Sequence, residues 1–188
     1  MKLFYFDVET TGVRFWKNGI HQISGMIEVD GTIKDEFNYL VSPYKDAIIE
    51  PEAMTIGNVT AAQIMLYPPM EIVHSKLLEL LGKHCNKFNP KDKYFMVGYN
   101  NASFDNNFLR AFFTQMNDKY FGSWFWSSSI DVMVLATERL KHERPAMENF
   151  KLHTVAKQMG IVVDEAKLHD ANYDINLTRQ IYQLITKQ

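Results

Sequence analysis

FYFDVETTG, residues 4–12, sets two carboxylates, Asp7 and Glu9, inside an apolar, β-prone run. Along a strand, residues two apart point to the same face. Asp7 and Glu9 therefore share one face, and Phe4, Phe6 and Val8 share the other. Two acids side by side on a core strand repel each other and lose solvation. A bridging divalent cation removes that cost. Hard cations such as Mg²⁺ take oxygen ligands, usually one or two carboxylates completed by substrate phosphate and water. The plainer alternative is a strand end in solvent, and a D-x-E pair alone does not choose between the two.

The rest of the chain bounds the answer. Its 188 residues, 46% apolar and 22% charged, suit one globular domain spanning 1–188. No apolar run approaches the ~20 residues of a membrane span. The opening MKLFYFDVET reaches its acids before a signal-peptide core can form, so a cytoplasmic, intracellular protein is expected. Cys85 is the only cysteine, which excludes an internal disulfide and fits a reducing compartment. The net charge of −2 argues against a broad grip on duplex phosphates. Nucleic-acid contact would be short or assisted by metal ions. The residues carry no reading of oligomeric state.

Periodicity predicts a mixed α/β fold. A first strand runs from Lys2 to Val8. Ile23, Ile27 and Val29 alternate with Ser24, Met26 and Glu28, and Asp30-Gly31 marks a hairpin turn. Phe37, Tyr39 and Val41 continue on the return strand. Residues 43–59 read as loop with at most a short turn. After Pro69, the spacing of Ile72, Val73, Leu77, Leu80 and Leu81 predicts a helix. Tyr94–Gly98 reads as a buried strand and Phe104–Gln115 as a helix. Residues 118–129 read as an aromatic loop, and Ile130–Leu140 as strand or helix. A short helix over Leu152–Met159 precedes a last one starting near Asp170, with Leu177, Ile181 and Leu184 as its buried stripe. Three strands followed by alternating strand and helix predict a mixed sheet covered by helices.

Two further acids stand out. In GYNNASFDNNFL, residues 98–109, Asp105 opens an apolar helix; favouring the helix dipole is its plain reading. In HDANYDINLTRQIY, residues 169–182, Asp174 lies in the first turns of the final helix and His169 precedes that helix. Ala171 and Thr178 share a face with Asp174, and the small Ala171 leaves room for a substrate. Alone, each stretch reads as solvated polar surface.

Together, D-x-E, then N-x-x-x-D, then H-x-x-x-x-D follow in an order that resembles the DEDD superfamily of 3′–5′ exonucleases, in its DnaQ-like branch with a histidine five residues before the last aspartate (DEDDh). The resemblance spans Leu3 to about Leu184. In the middle, GYNN-x-x-FD, Trp124, Trp126 and the pair Asp131-Val132 resemble the exonuclease domain of bacterial exonuclease I. The later segments that enclose DNA there have no expected counterpart, nor does the tail that tethers a proofreading subunit to its polymerase.

The resemblance implies a ribonuclease H-like fold and hydrolysis of the terminal phosphodiester at a 3′ end, releasing nucleoside 5′-monophosphates. It implies two Mg²⁺ ions, with Mn²⁺ as substitute, held by Asp7, Glu9, Asp105 and Asp174. His169 would be the general base, its ordinary pKa near ~6.5 suiting work near neutrality. Thr10 matches the residue placed at the terminal 3′-hydroxyl. Met54 and Ile56, in PEAMTIGNVT, match a segment that wedges against the last bases, although Gly57-Asn58 replaces its usual His-Gly. Anchoring the loop to the core is an equal reading for both. Asn101 is a further substrate-contact candidate. Tyr120, Phe121, Trp124, Phe125 and Trp126 can stack bases, but core packing is the better reading for most. Single-stranded DNA 3′ ends are the expected partner, RNA the close alternative, a non-catalytic nucleic-acid-binding module the remote one. No membrane contact is expected.

Overall fold

A computed structural model describes residues 1–167 and 170–186. Strand β1, Lys2–Thr10, is the centre of a five-stranded sheet. Strands β2, Ile20–Val29, and β3, Thr32–Leu40, follow it as an antiparallel meander. Asp30 and Gly31 both take positive φ, 49° and 83°, the two-residue turn whose twist matches paired strands. Strand β4, Phe95–Gly98, runs parallel to β1 on its other side, and β5, Ile130–Asp131, runs parallel to β4. The sheet order is β3-β2-β1-β4-β5.

A central strand is covered on both faces, and β1 feeds two cores. Phe4, Phe6 and Val8 enter one; Leu3 and Tyr5 enter the other. On the first side lie α3, Met70–His84, and α4, Asp105–Gln115, with Leu77, Leu81, Phe108, Phe112 and Phe113 inward. Close packing leaves no room for a side chain at Gly25: a Cβ there would stand 2.3 Å from the Tyr5 carbonyl oxygen and 2.5 Å from the Phe37 ring. On the second side lie α6, Val132–Arg139, α7, Leu152–Gln158, and α8, Ala171–Thr186. Val132, Ala136, Val155, Ile175, Leu177 and Ile181 form that core.

Several expectations are corrected. Within 43–59 the chain forms a helix, α1, Pro51–Ile56, started by proline at a position where a missing N–H costs nothing. It is followed by α2, Ala61–Ile64, capped by Thr60 and Gln63. The aromatic loop contains α5, Phe121–Trp124, and 130–140 is strand and then helix, because the Asp131 carboxylate caps the first turn of α6. Ile72 is half exposed, since α3 turns Met70, Val73 and His74 inward instead. Leu184 is likewise exposed. The buried stripe of α8 drifts through Ile175, Thr178 and Tyr182, with Ile185 packed at its end. Among the described residues, no helix is long and apolar enough to cross a membrane.

Candidate active site

The acids gather where β1 outruns β4. Pairing between these strands ends at Tyr5–Val97, and beyond it β4 gives way to the turn at 98–104. The next free backbone donor on that side, the Val8 N–H, goes to the Asp105 carboxylate at 3.2 Å. One carboxylate thus replaces a missing strand and is fixed beside Asp7. Asp105 is buried in the first turn of α4. Burial pushes its pKa up to about 7, against the hydrogen bond from Val8, with Glu9 and Asp131 adding repulsion.

Asp7 continues the face of Leu3 and Tyr5. It keeps some accessible surface, yet burial of its carboxyl, and then the charges of Asp105, Glu9 and Asp174, raise its pKa well above the carboxylate range. Asp7 and Asp174 line one cavity of about 140 Å³ with Tyr5, Tyr99, Leu152 and Thr178. Asp174 reaches it because α8 is tied down. Its Arg179 Nε donates to Glu28 Oε2 on β2 at 2.6 Å, in a largely buried pair, and the Tyr182 ring meets Tyr5 edge-on at 6.2 Å. Asp170 starts the helix by accepting from the Tyr173 N–H at 2.9 Å. Glu9 is half-buried and lines a neighbouring cavity of about 470 Å³ with Gln22, Ile56, Asn58 and Lys167.

The four predicted acids thus act on one another across three elements, β1, α4 and α8. Among the described residues, no group of three or more His, Cys, Asp or Glu side chains is arranged to hold a metal ion by itself. Mg²⁺ seldom sits in an all-protein cage and is usually completed by water and substrate phosphate. Four mutually repelling oxygen donors, two with raised pKa, match such an ion.

The remaining candidates divide. The Thr10 hydroxyl donates to the Gly12 carbonyl at 2.7 Å. Met54 is the buried residue of α1, and it lines a groove of about 710 Å³ with Pro51, Val59 and Gln63. Ile56 is 77% exposed and faces the Glu9 cavity. Asn101 is fully buried and donates to Asn106 Oδ1 at 3.1 Å, so its side chain stays inside the 98–104 turn. Phe121, Trp124 and Phe125 are core residues. His169 lies outside the described residues.

Sequence reading missed two supports. Asp131, noted only as part of a resemblance, accepts from the Asn100 N–H at 2.9 Å and the Ala102 N–H at 3.3 Å. It therefore holds the turn that delivers Asp105. The D-V-M run ahead of a helix was the available signal for a cap. His21 is the extra residue of a bulge, since Glu9 pairs with Gln22 and Thr10 with Ile20. It is buried, with no hydrogen-bond partner for either ring nitrogen among the described residues, and burial lowers its pKa to about 4. Nothing in the sequence pattern marks a bulge there.

The chain is 27% identical over 179 residues to the PolC-type DNA polymerase III of Mycoplasmopsis pulmonis, covering 95% of this chain and 11% of that protein. It is 25% identical over 183 residues to the Clostridium perfringens counterpart, covering 97% and 11%. The chain thus spans about a tenth of the length of these relatives. Its fold matches E. coli exonuclease I in complex with a dT13 oligonucleotide, with TM-score 0.76 and 19% identity, covering 99% of this chain and 41% of that one. The zinc-bound form of E. coli exonuclease I with single-stranded DNA matches with TM-score 0.75 and 18% identity, covering 98% and 40%. These likenesses show a shared ribonuclease H-like fold. The exonuclease family model RNase_T matches residues 4–182, nearly the whole chain, and the chain belongs to that exonuclease family.

Proposed function

We propose that this chain is a divalent-metal-dependent 3′–5′ exonuclease acting on single-stranded DNA ends and releasing nucleoside 5′-monophosphates. The observation that carries the reading is the set of four acids on three elements, centred on Asp7 and raising its pKa. An array of that kind is costly unless cations occupy it. Asp7, Glu9, Asp105 and Asp174 would hold two Mg²⁺ or Mn²⁺ ions. When bound, such ions offset the acids' repulsion and stabilise negative charge on the attacking and leaving oxygens.

The chain's own residues supply the rest. Asp7, on which the other three acids act, would contribute to holding both ions. Glu9 and Asp174 would help to hold the ion that activates the attacking water, and Asp105 would help to hold the ion that stabilises the leaving oxygen. Asp131 and Arg179 are positioning residues for Asp105 and Asp174. The last base of the strand would pack against Ile56, whose exposure beside Glu9 suits a wedge, while Thr10 faces the terminal sugar through its backbone. His169, five residues ahead of Asp174, would accept the proton of the attacking water.

DNA is favoured over RNA by the likeness to exonuclease I, solved with thymidine and adenine oligonucleotides, and to polymerase sequences. The test is incubation with Mg²⁺ or Mn²⁺ and 5′-labelled single strands of both sugars. Stepwise shortening of DNA from the 3′ end, stopped by EDTA and by a 3′-phosphate, is expected. Faster shortening of RNA would move the substrate to RNA, and cleavage of a circular strand would make the protein an endonuclease. A strand left whole in both metals would overturn the enzymatic reading.

A further inference from the structure

The loop from Thr11 to Gly19 joins β1 to β2 at the end of the sheet where the acids stand. It is heavily cross-linked. The Thr11 N–H donates to the Gly19 carbonyl at 2.8 Å. Asn18 Nδ2 donates to the Ile48 carbonyl at 2.8 Å, and Asn18 Oδ1 accepts from the Arg14 N–H at 2.8 Å. The Arg14 guanidinium pairs with Glu50 at 2.6 Å. Gly12 closes the knot: a Cβ there would stand 2.4 Å from Asn18 Nδ2 and 2.7 Å from Glu50 Cδ. Phe15 meets Phe108 of α4 edge-on at 6.5 Å. The loop is thus braced on β1, on the lead into α1 and on α4, the elements that carry Thr10, Met54 and Asp105.

From this stiff base Trp16 projects with 63% of its surface exposed. It rests edge-on against Phe15 at 5.0 Å. The other two tryptophans differ: Trp124 is buried and Trp126 half-buried. An indole left in water on a rigid loop gains little for the fold and leaves a flat, preorganised ring face open to a partner. The Arg14 guanidinium is already paired with Glu50, and the exposed Lys17, next in sequence to Trp16, offers a cation to an anionic partner with flat rings.

We infer that Trp16 is a base-stacking subsite for single-stranded nucleic acid, on the loop that leaves the acid end of β1, with Lys17 near the phosphate backbone. The inference rests on the exonuclease reading for its ligand. Stacking on aromatic side chains tolerates any base, which suits an enzyme that must move along a strand. A loop already braced loses little freedom on binding.

The test separates binding from cleavage. The full chain is titrated with oligothymidylate in EDTA at low salt, following both tryptophan emission and the anisotropy of a 5′ label. Emission should fall as the strand binds. W16A should lose most of that quenching and bind roughly tenfold more weakly, within the span expected for one stacked base. W16F should keep most of the affinity, because a phenyl ring still stacks. Thermal melting checks that both variants fold. Unchanged affinity and quenching in W16A would overturn the subsite, as would W16F binding as poorly as W16A. Quenching through Trp16 without any cleavage in Mg²⁺ would sink the exonuclease reading and leave the subsite standing. Cleavage without quenching would do the reverse.

Discussion

The two faces of β1 start alike and end differently. On one, Phe4, Phe6 and Val8 stay apolar to the end of the strand and pack under α3 and α4. On the other, Leu3 and Tyr5 are core, and then Asp7 and Glu9 replace it. The same backbone buries an apolar face on one side and carries a cluster of acids on the other. Alternation permits this, because neighbouring residues face different environments. The acids sit at the strand's C-terminal end, where the parallel β4 has already turned away and a backbone N–H is left to hold Asp105. In open α/β sheets ligands bind at that edge, outside the carboxyl ends of parallel strands.

The sharpest break of this comparison is Asp7→Ala. It should abolish hydrolysis of single-stranded DNA while leaving the melting temperature in metal-free buffer unchanged or higher, since removing one carboxylate relieves repulsion. Rate assays beside calorimetry check both halves. A variant that still cleaves, or one that melts much earlier, would return Asp7 to a structural role.

His169→Ala should lower the cleavage rate by ~10²–10⁴-fold, the usual worth of a general base. It should leave metal affinity nearly unchanged, whereas Asp174→Ala should weaken both. Metal titrations of rate and of binding decide. Lost metal affinity with a full rate at saturating Mg²⁺ would make the histidine a ligand.

On the opposite face, Phe4→Ala should destabilise the fold by ~3–5 kcal/mol, because a large aromatic leaves a cavity that the surroundings cannot fill. Phe4 is fully buried and rings from Phe6, Phe37 and Phe125 surround it. Denaturant melts should show the loss. At a temperature where the variant is folded, cleavage should stay near normal.

His21 tests whether a titratable group at the same end of the sheet serves the fold instead of the site. Its folded pKa, about 4, lies below the ordinary 6.5. The unfolded chain therefore takes up the proton first. Stability is full above ~6.5 and is lost as pH falls toward 4, by about 3 kcal/mol from this one group. His21→Leu should flatten that slope in pH-dependent denaturant melts. An unchanged slope would place the acid sensitivity elsewhere.

The smallest effect should come from Tyr5→Phe. Its hydroxyl is buried with no hydrogen-bond partner among the described residues, and burial raises its pKa. Removing an unsatisfied hydroxyl should stabilise by up to ~1 kcal/mol. A destabilisation of that size, read from melts, would reveal a partner for the hydroxyl.

The strands of the meander, the Asp30-Gly31 turn, α3, α4 and the four acids were legible from the chain alone. Each is written in a short-range rule: alternation, a turn dipeptide, helical spacing, or a charge where a core residue belongs. Which flank of a helix meets the sheet is a different matter. Ile72 and Leu184 fit their stripes by spacing and still face solvent, because packing chooses among nearly equivalent rotations of an amphipathic helix.

What the sequence by itself determined is the sheet's central strand and the chemical character of its acid end. Apolar alternation and misplaced charge are properties of neighbouring residues. Only the tertiary structure decided what holds that end in place. Asp131 clamps the turn before Asp105, Arg179 reaches Glu28 across 151 positions of chain, and Asn18 and Glu50 brace the loop that presents Trp16. Such pairs form when the fold closes long loops, and no local pattern in the chain encodes their partners.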